Sequence, residues 1–216
     1  MSRRLPVYLL IDNSGSMRTD EKIEAVNEGL QMFVDSLAMD PHLLQTAYVS
    51  VISFNTEARQ EIPLTDVYDF ATPELRAGGK TALGGALRLV KECAEREVRK
   101  GTPDQKGDWR PIVFLMTDGA PTDDFEAGLA EFKQYKWGKV IACAVGSDAD
   151  PRVLTKITPT VVQLAFADSS TLHSFFSWAS SSLGPMSDTL SSGGDLDTYD
   201  LEDDVPPPPG LDFFYR

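Results

Sequence analysis

The chain has 216 residues, 42% of them apolar, with 14 Pro and 16 Gly; this fits one domain of roughly 150–200 residues plus an appendage and excludes a large multidomain machine. Its 33 acidic residues outnumber 20 basic ones for a net charge of −13, so the summed field repels a phosphate backbone and argues against nucleic acid as a partner. No apolar run approaches the roughly 18–20 residues that span a bilayer, and Met1-Ser2-Arg3-Arg4 meets only a short apolar stretch before Asp12, which points to a soluble cytoplasmic protein without an export signal.

Short apolar runs alternate with segments of helical period. Val7–Ile11 reads as the first strand, followed by a helix in which Ile23, Val26, Leu30, Phe33, Val34 and Leu37 recur at three and four, with Asp20 and Glu21 at its start. Tyr48–Phe54 is the second strand. Ala58–Pro63 follows after too few residues for a crossover, so it is expected to return antiparallel as a short edge strand. A second helix carries Leu83, Ala86, Leu87 and Val90; Ile112–Met116 is the next strand, and Phe125, Leu129 and Phe132 mark a helix opened by Thr122, Asp123 and Asp124. Val140–Val145 and Val161–Leu164 are the last strands. Between them Asp150-Pro151 reads as an N-cap with proline at the first helical position, and after them Leu172, Phe175, Phe176, Ala179 and Leu183 outline a final helix. Continuous apolar strands joined by helices predict an α/β, doubly wound fold: a mainly parallel six-stranded sheet with one antiparallel edge strand.

Composition changes near Leu183. Residues 184–216 carry −7 of the −13, are rich in Ser, Gly and Asp, and contain Pro206–Pro209, so residues 1–183 are expected to form the domain and 184–216 an acidic tail. That tail is read either as a disordered extension or as a docking peptide, Leu211–Arg216, held out by a polyproline spacer. Cys93 and Cys143 are read as reduced core thiols.

Three polar clusters fall just after strands or just before a helix, on the edge of an open α/β sheet where ligands bind. Asp12-Asn13-Ser14-Gly15-Ser16 follows the first strand, Gly78-Gly79-Lys80-Thr81 precedes the second long helix, and Thr117-Asp118-Gly119 follows the fourth strand. Asp12, Ser14, Ser16, Thr81 and Asp118 together offer two carboxylates and three hydroxyls, with no His or Cys. Such hard oxygen donors suit Mg²⁺, Mn²⁺ or Ca²⁺ and argue against zinc. Taken singly, each cluster is also an ordinary cap, loop or turn. Gly79-Lys80-Thr81 is not the end of a phosphate-binding loop, because Glu74 stands where that motif needs glycine.

With these residues the sequence resembles the von Willebrand factor A domains, whose metal-ion-dependent adhesion site is D-x-S-x-S, then Thr, then Asp; the match is Asp12, Ser14, Ser16, Thr81 and Asp118, and it covers about residues 5 to 183. The resemblance implies that the serines and threonine ligate a divalent ion directly or nearly so, that the aspartates act directly or through water, and that a partner's Asp or Glu completes the coordination. More narrowly, the segment from Leu5 to Met17 and the short length resemble the bacterial tellurium-resistance-associated members of TerY type. That implies a stress-response complex beside kinase- and phosphatase-like proteins.

The leading expectation is therefore a non-enzymatic, metal-dependent protein-interaction module. Its rivals are a metal-assisted phosphohydrolase, for which no nucleophile or general base lies beside the set, and a structural protein whose ion only ties loops together. His42 and His173 are read as ordinary polar residues, and Trp109, Trp137 and Trp178 as flanking or filling the core. The charges from Lys91 to Lys100 are read as a solvated helix face.

Overall fold

A computed structural model describes residues 3–146, 149–164, 168–196 and 205–214. Strand β1 (Leu5–Asp12) is buried along its whole length. A 3₁₀ turn (Gly15–Glu21) leads into α1 (Lys22–Met39), and α2 (Pro41–Thr46) leads into β2 (Ala47–Phe54) and β3 (Ala58–Asp66). Helix α3 (Leu83–Glu97), β4 (Ile112–Thr117), α4 (Phe125–Phe132), β5 (Lys139–Val145), the short α5 (Pro151–Leu154), β6 (Val161–Leu164), α6 (Ser169–Ser191) and β7 (Leu211–Phe213) follow.

The sheet order is β3-β2-β1-β4-β5-β6-β7. The pairs from β2 through β6 are parallel, while β3 on β2 and β7 on β6 are antiparallel. The fold is thus α/β with a mostly parallel central sheet, as expected, but of seven strands rather than six, and both edges are antiparallel. Alternation along a uniformly apolar strand divides the core. Leu5, Val7, Leu9 and Ile11 face the layer of α1 and α6, whereas Tyr8 and Leu10 face α3 and α4. Cys93 and Cys143 are buried and unpaired, in clusters on opposite faces of the sheet. Helices α3 and α4 meet almost backbone to backbone: a Cβ on Gly128 would lie 2.2 Å from the Gly84 carbonyl oxygen.

Helix α6 continues past Leu183 to Ser191 with Pro185 inside it. Met186 and Leu190 extend the buried stripe of Leu172, Phe175 and Leu183. Burying two such side chains gains about 3–6 kcal/mol, against about 3 kcal/mol for an interior proline. Beyond it, the Trp178 indole donates to the Val205 carbonyl at 2.8 Å, Leu211 is buried, and the Phe214 amide donates to the Val161 carbonyl at 2.8 Å. Leu211–Phe213 therefore docks on its own sheet and is not held out as a free peptide. The acids at 197–204 and the terminal 215–216 lie outside the described residues. Among the described residues, no helix is long and apolar enough to cross a membrane.

Candidate metal centre

The parallel strands β2, β1 and β4 end side by side, with Asp12 opposite Phe54 and Ile11 opposite Met116. The chain leaves β1 in a turn that Asp12 builds itself, its Oδ1 accepting from the Ser14 amide at 2.8 Å. The other oxygen, Oδ2, accepts from the Thr117 hydroxyl at 2.5 Å. Asp12 is thereby fixed from its own loop and from the neighbouring strand.

The turn returns Ser16 toward the end of β4. The Ser14 and Ser16 hydroxyl oxygens are 3.0 Å apart, and Ser16 donates to Asp118 Oδ1 at 2.6 Å. The glycine-rich loop is stitched to this turn through main chain: the Gly15 amide donates to the Gly79 carbonyl at 3.1 Å and the Gly78 amide to the Asn13 carbonyl at 2.8 Å. Gly79 has φ +80°, and a Cβ there would also lie 2.4 Å from the Thr56 hydroxyl, so only glycine fits. One residue on, Thr81 is locked to Thr122, its amide donating to the Thr122 hydroxyl at 3.0 Å and its carbonyl accepting from the Thr122 amide at 2.9 Å. The Thr81 hydroxyl faces the Asp118-Gly119 turn, 3.4 Å from where a Cβ on Gly119 would stand. That hydroxyl donates to no group among the described residues.

All five residues singled out in the sequence thus lie at one rim. Asp12, Ser14, Ser16 and Asp118 are joined by hydrogen bonds, directly or through main chain, and Thr81 borders them across Gly119. Asp12, Ser14, Thr81 and Asp118 are buried, whereas Ser16 is exposed and forms the opening. Among the described residues, no group of three or more His, Cys, Asp or Glu could hold a metal ion, so any ion here depends on the hydroxyls. Oxygen-only donors, a Thr81 hydroxyl left over and an open side at Ser16 fit a hard divalent cation.

Two residues escaped the sequence reading. The first is Thr117, whose hydroxyl clamps Asp12; the sequence placed it in the third cluster but gave it no role. The second is Lys22, whose ammonium lies 3.0 Å from Asp118 Oδ2, with both side chains largely withdrawn from solvent. Lys22 thus supplies a positive charge beside the two carboxylates of the centre. Only the 3₁₀ turn, which doubles the chain back before α1, brings Lys22 here; Glu21, expected to favour the helix start by its charge, makes no side-chain cap bond and instead adopts a left-handed φ of 56°. Asp123 and Asp124, read together as the start of one helix, divide their work. Asp124 caps α4, while Asp123 accepts from the Gly84 and Gly85 amides at the start of α3.

Burial raises the Asp12 carboxyl above its ordinary range; the hydrogen bonds from Thr117 and Ser14 oppose that rise, and the nearby Asp118 charge adds to it. His42 and His173 stand elsewhere, facing Asp188 and Glu28.

Residues 7–178 match the von Willebrand factor type A domain. No curated protein matches the sequence. Among solved structures, proximal thread matrix protein 1 from the mussel byssus superposes with a TM-score of 0.61 at 22% identity, covering 82% of this chain and 47% of that one. A further structure of the same mussel protein, at TM-score 0.58 and 22% identity over 81% of this chain and 46% of that one, has a zinc-occupied MIDAS motif. The pilus adhesin SpaC from Lactobacillus rhamnosus GG superposes with a TM-score of 0.64 at 14% identity over 83% of this chain and 30% of that one. The chain thus spans less than half the length of each of these proteins.

Proposed function

This chain belongs to the von Willebrand factor type A domain family, and from that premise we propose that it is a metal-dependent protein-binding module. Ser14, Ser16 and Thr81 would hold a divalent ion through their hydroxyls, with Asp12 and Asp118 directly or through water. Mg²⁺, or else Mn²⁺ or Ca²⁺, is the class of ion that such oxygen donors suit. The zinc in the mussel protein's motif makes Zn²⁺ a necessary comparison. When bound, such an ion supplies an electrophilic point at which a partner's Asp or Glu completes the coordination.

The observation that carries the proposal is the chain of contacts from Ser14 through Ser16 to Asp118 and Lys22, beside an exposed Ser16. The chain's own groups prepare the site in three ways. Thr117 and the Ser14 amide orient the two Asp12 oxygens. The Gly78-Gly79 loop sets Thr81 at the rim, and the Ser16 hydroxyl orients Asp118 Oδ1, while Lys22 holds the other Asp118 oxygen in competition with an ion. A purely loop-tying ion is the weaker reading, because main-chain bonds between the Asn13–Gly15 turn and Gly78-Gly79, and between Thr81 and Thr122, already join those loops.

The narrower placement, in a bacterial tellurite or stress-response complex with kinase- or phosphatase-like partners, rests on the opening Leu5–Met17 segment. The cytoplasmic placement rests on the sequence and on two free, buried thiols. Capture of partners by the full chain, with and without EDTA and with Asp12→Ala, tests the proposal. Acidic-surface partners retained only by the metal-loaded wild type are expected, and capture unchanged by both treatments would overturn it.

A further inference from the structure

At the opposite end of the sheet, where β1 and β4 begin and α3 ends, the loop from Arg99 to Asp108 folds back on Arg3 and Arg4. The Arg99 amide donates to Asp108 Oδ2 at 2.7 Å and the Asp108 amide to the Arg99 carbonyl at 2.9 Å, closing the loop at its neck. Its limbs touch: a Cβ on Gly107 would lie 2.4 Å from the Gly101 nitrogen. Arg3, Arg4, Arg99, Lys100 and Lys106 line one cavity of about 280 Å³ here. Among the described residues, Asp104 and Asp108 are the only acids on its wall, so its described lining carries +3 in a chain of net −13.

The cations are not equivalent. Arg4 is committed to the fold, paired with Asp108 at 2.5 Å and donating to the Glu97 carbonyl at the end of α3. Arg3 is held by neutral partners: it donates to the Gly107 and Asp108 carbonyls at 2.7 and 3.0 Å and stacks on Trp109 at 3.5 Å. Those contacts fix its orientation without cancelling its charge, and partial burial lowers its pKa. Arg99, Lys100 and Lys106 are exposed and pair with no carboxylate among the described residues. The sequence placed Arg99 and Lys100 on a solvated helix face, but α3 stops at Glu97 and leaves them in this loop.

We propose that this cavity binds a phosphomonoester, with Arg3 as a preoriented guanidinium and Arg99, Lys100 and Lys106 as cations that close over the anion. A surplus of +3 exceeds what one carboxylate neutralises and suits a group of about −1.5 to −2. The volume leaves room for the phosphate and part of its carrier. A long polyanion is disfavoured by the charge of the whole chain.

Calorimetric titration of the full chain tests this, in EDTA so that no ion at the metal centre bridges to phosphate. The probes are inorganic phosphate, O-phosphoserine, a short phosphoserine peptide with neutral flanks, and the same peptide with glutamate in place of phosphoserine. Saturable binding of phosphoserine or its peptide is expected. It should weaken about tenfold or more in the Arg99→Gln, Lys100→Gln variant and be unchanged by Asp12→Ala. Comparable binding of free phosphoserine and peptide assigns the site to small phosphorylated molecules, and preference for the peptide assigns it to a phosphorylated partner. Three results would overturn the proposal: no saturable binding by any phosphate probe, equal affinity in wild type and variant, or equal affinity for the glutamate peptide. The variant's melting midpoint, expected to match wild type because the loop's neck is made by main chain and Asp108, separates lost binding from lost folding.

Discussion

At the candidate metal centre, Asp12 sits in an environment that disfavours its charge, since burial raises its carboxyl pKa despite the hydrogen bonds it accepts. A carboxyl raised on folding binds more protons in the native than in the unfolded chain, so its contribution to stability is present below the ordinary carboxylate range and is lost as pH rises through the native value. Asparagine can replace it while keeping both present hydrogen-bond partners. Its oxygen can accept from the Ser14 amide, and its NH₂ can donate to Thr117, whose hydroxyl turns toward the Gly119 carbonyl now 3.3 Å away. In EDTA, Asp12→Asn is expected to melt above wild type, with the gap widening from about pH 4 toward pH 7. A gap that is constant or reversed would contradict this.

Lys22 stands beside the second carboxylate of the rim. Its ammonium partly neutralises Asp118 and stands where a divalent ion would draw on the same carboxylate. Lys22→Met is expected to lower the melting midpoint in EDTA, because Asp118 is left nearly buried without its counter-charge, and to tighten Mg²⁺ binding on the order of tenfold. Weaker Mg²⁺ binding in this variant, read by calorimetry, would show that Lys22 builds the site and does not compete for it. Neither Lys22 nor Thr117 was legible as a site residue, because each reaches the centre through a contact about a hundred positions away in the chain.

The elements that sequence reveals best are those whose own residues specify them. The continuous apolar runs of β1, β2, β4, β5 and β6 and the helical stripes of α1, α3 and α4 need no partner to be recognised, and Ala58–Pro63 betrayed its antiparallel return by the shortness of the connection. Strand β7 is different. Leu211-Asp212-Phe213 is too short for a periodic signal and follows four prolines, and it is a strand only because β6 offers an unpaired edge. Helix α2 did carry a local signal, Asp40-Pro41, of the same kind as Asp150-Pro151. Two substitutions measure these contacts. Leu211→Ala is expected to cost about 2–3 kcal/mol in denaturant unfolding and to speed hydrogen exchange at β6, whereas an exchange pattern unaffected at β6 would mean that β7 does not protect that edge. Gly128→Ala, which drives a methyl into the Gly84 carbonyl, is expected to cost about 1–3 kcal/mol, and a neutral effect would contradict the close approach of α3 and α4.

Over the whole molecule, the parallel sheet separates two chemistries. The carboxyl ends of the strands gather Asp12 and Asp118 with three hydroxyls, and the amino ends gather the Arg3, Arg99, Lys100 and Lys106 surplus. That the five oxygen-bearing residues meet at one rim was legible because each sits near a strand or helix boundary, where topology brings boundaries together. Their exact pairing was not, because it depends on the turn at Gly15 and the left-handed Gly79.

The most direct measurement is calorimetric titration of the metal-stripped full chain with Mg²⁺, Mn²⁺, Ca²⁺ and Zn²⁺, repeated on Ser16→Ala and Asp118→Ala. One saturable divalent site in wild type, weakened at least about tenfold in both variants, is the expected result. Absence of any saturable divalent binding, or affinities equal across wild type and both variants, would contradict a metal centre at this rim and the partner binding proposed through it.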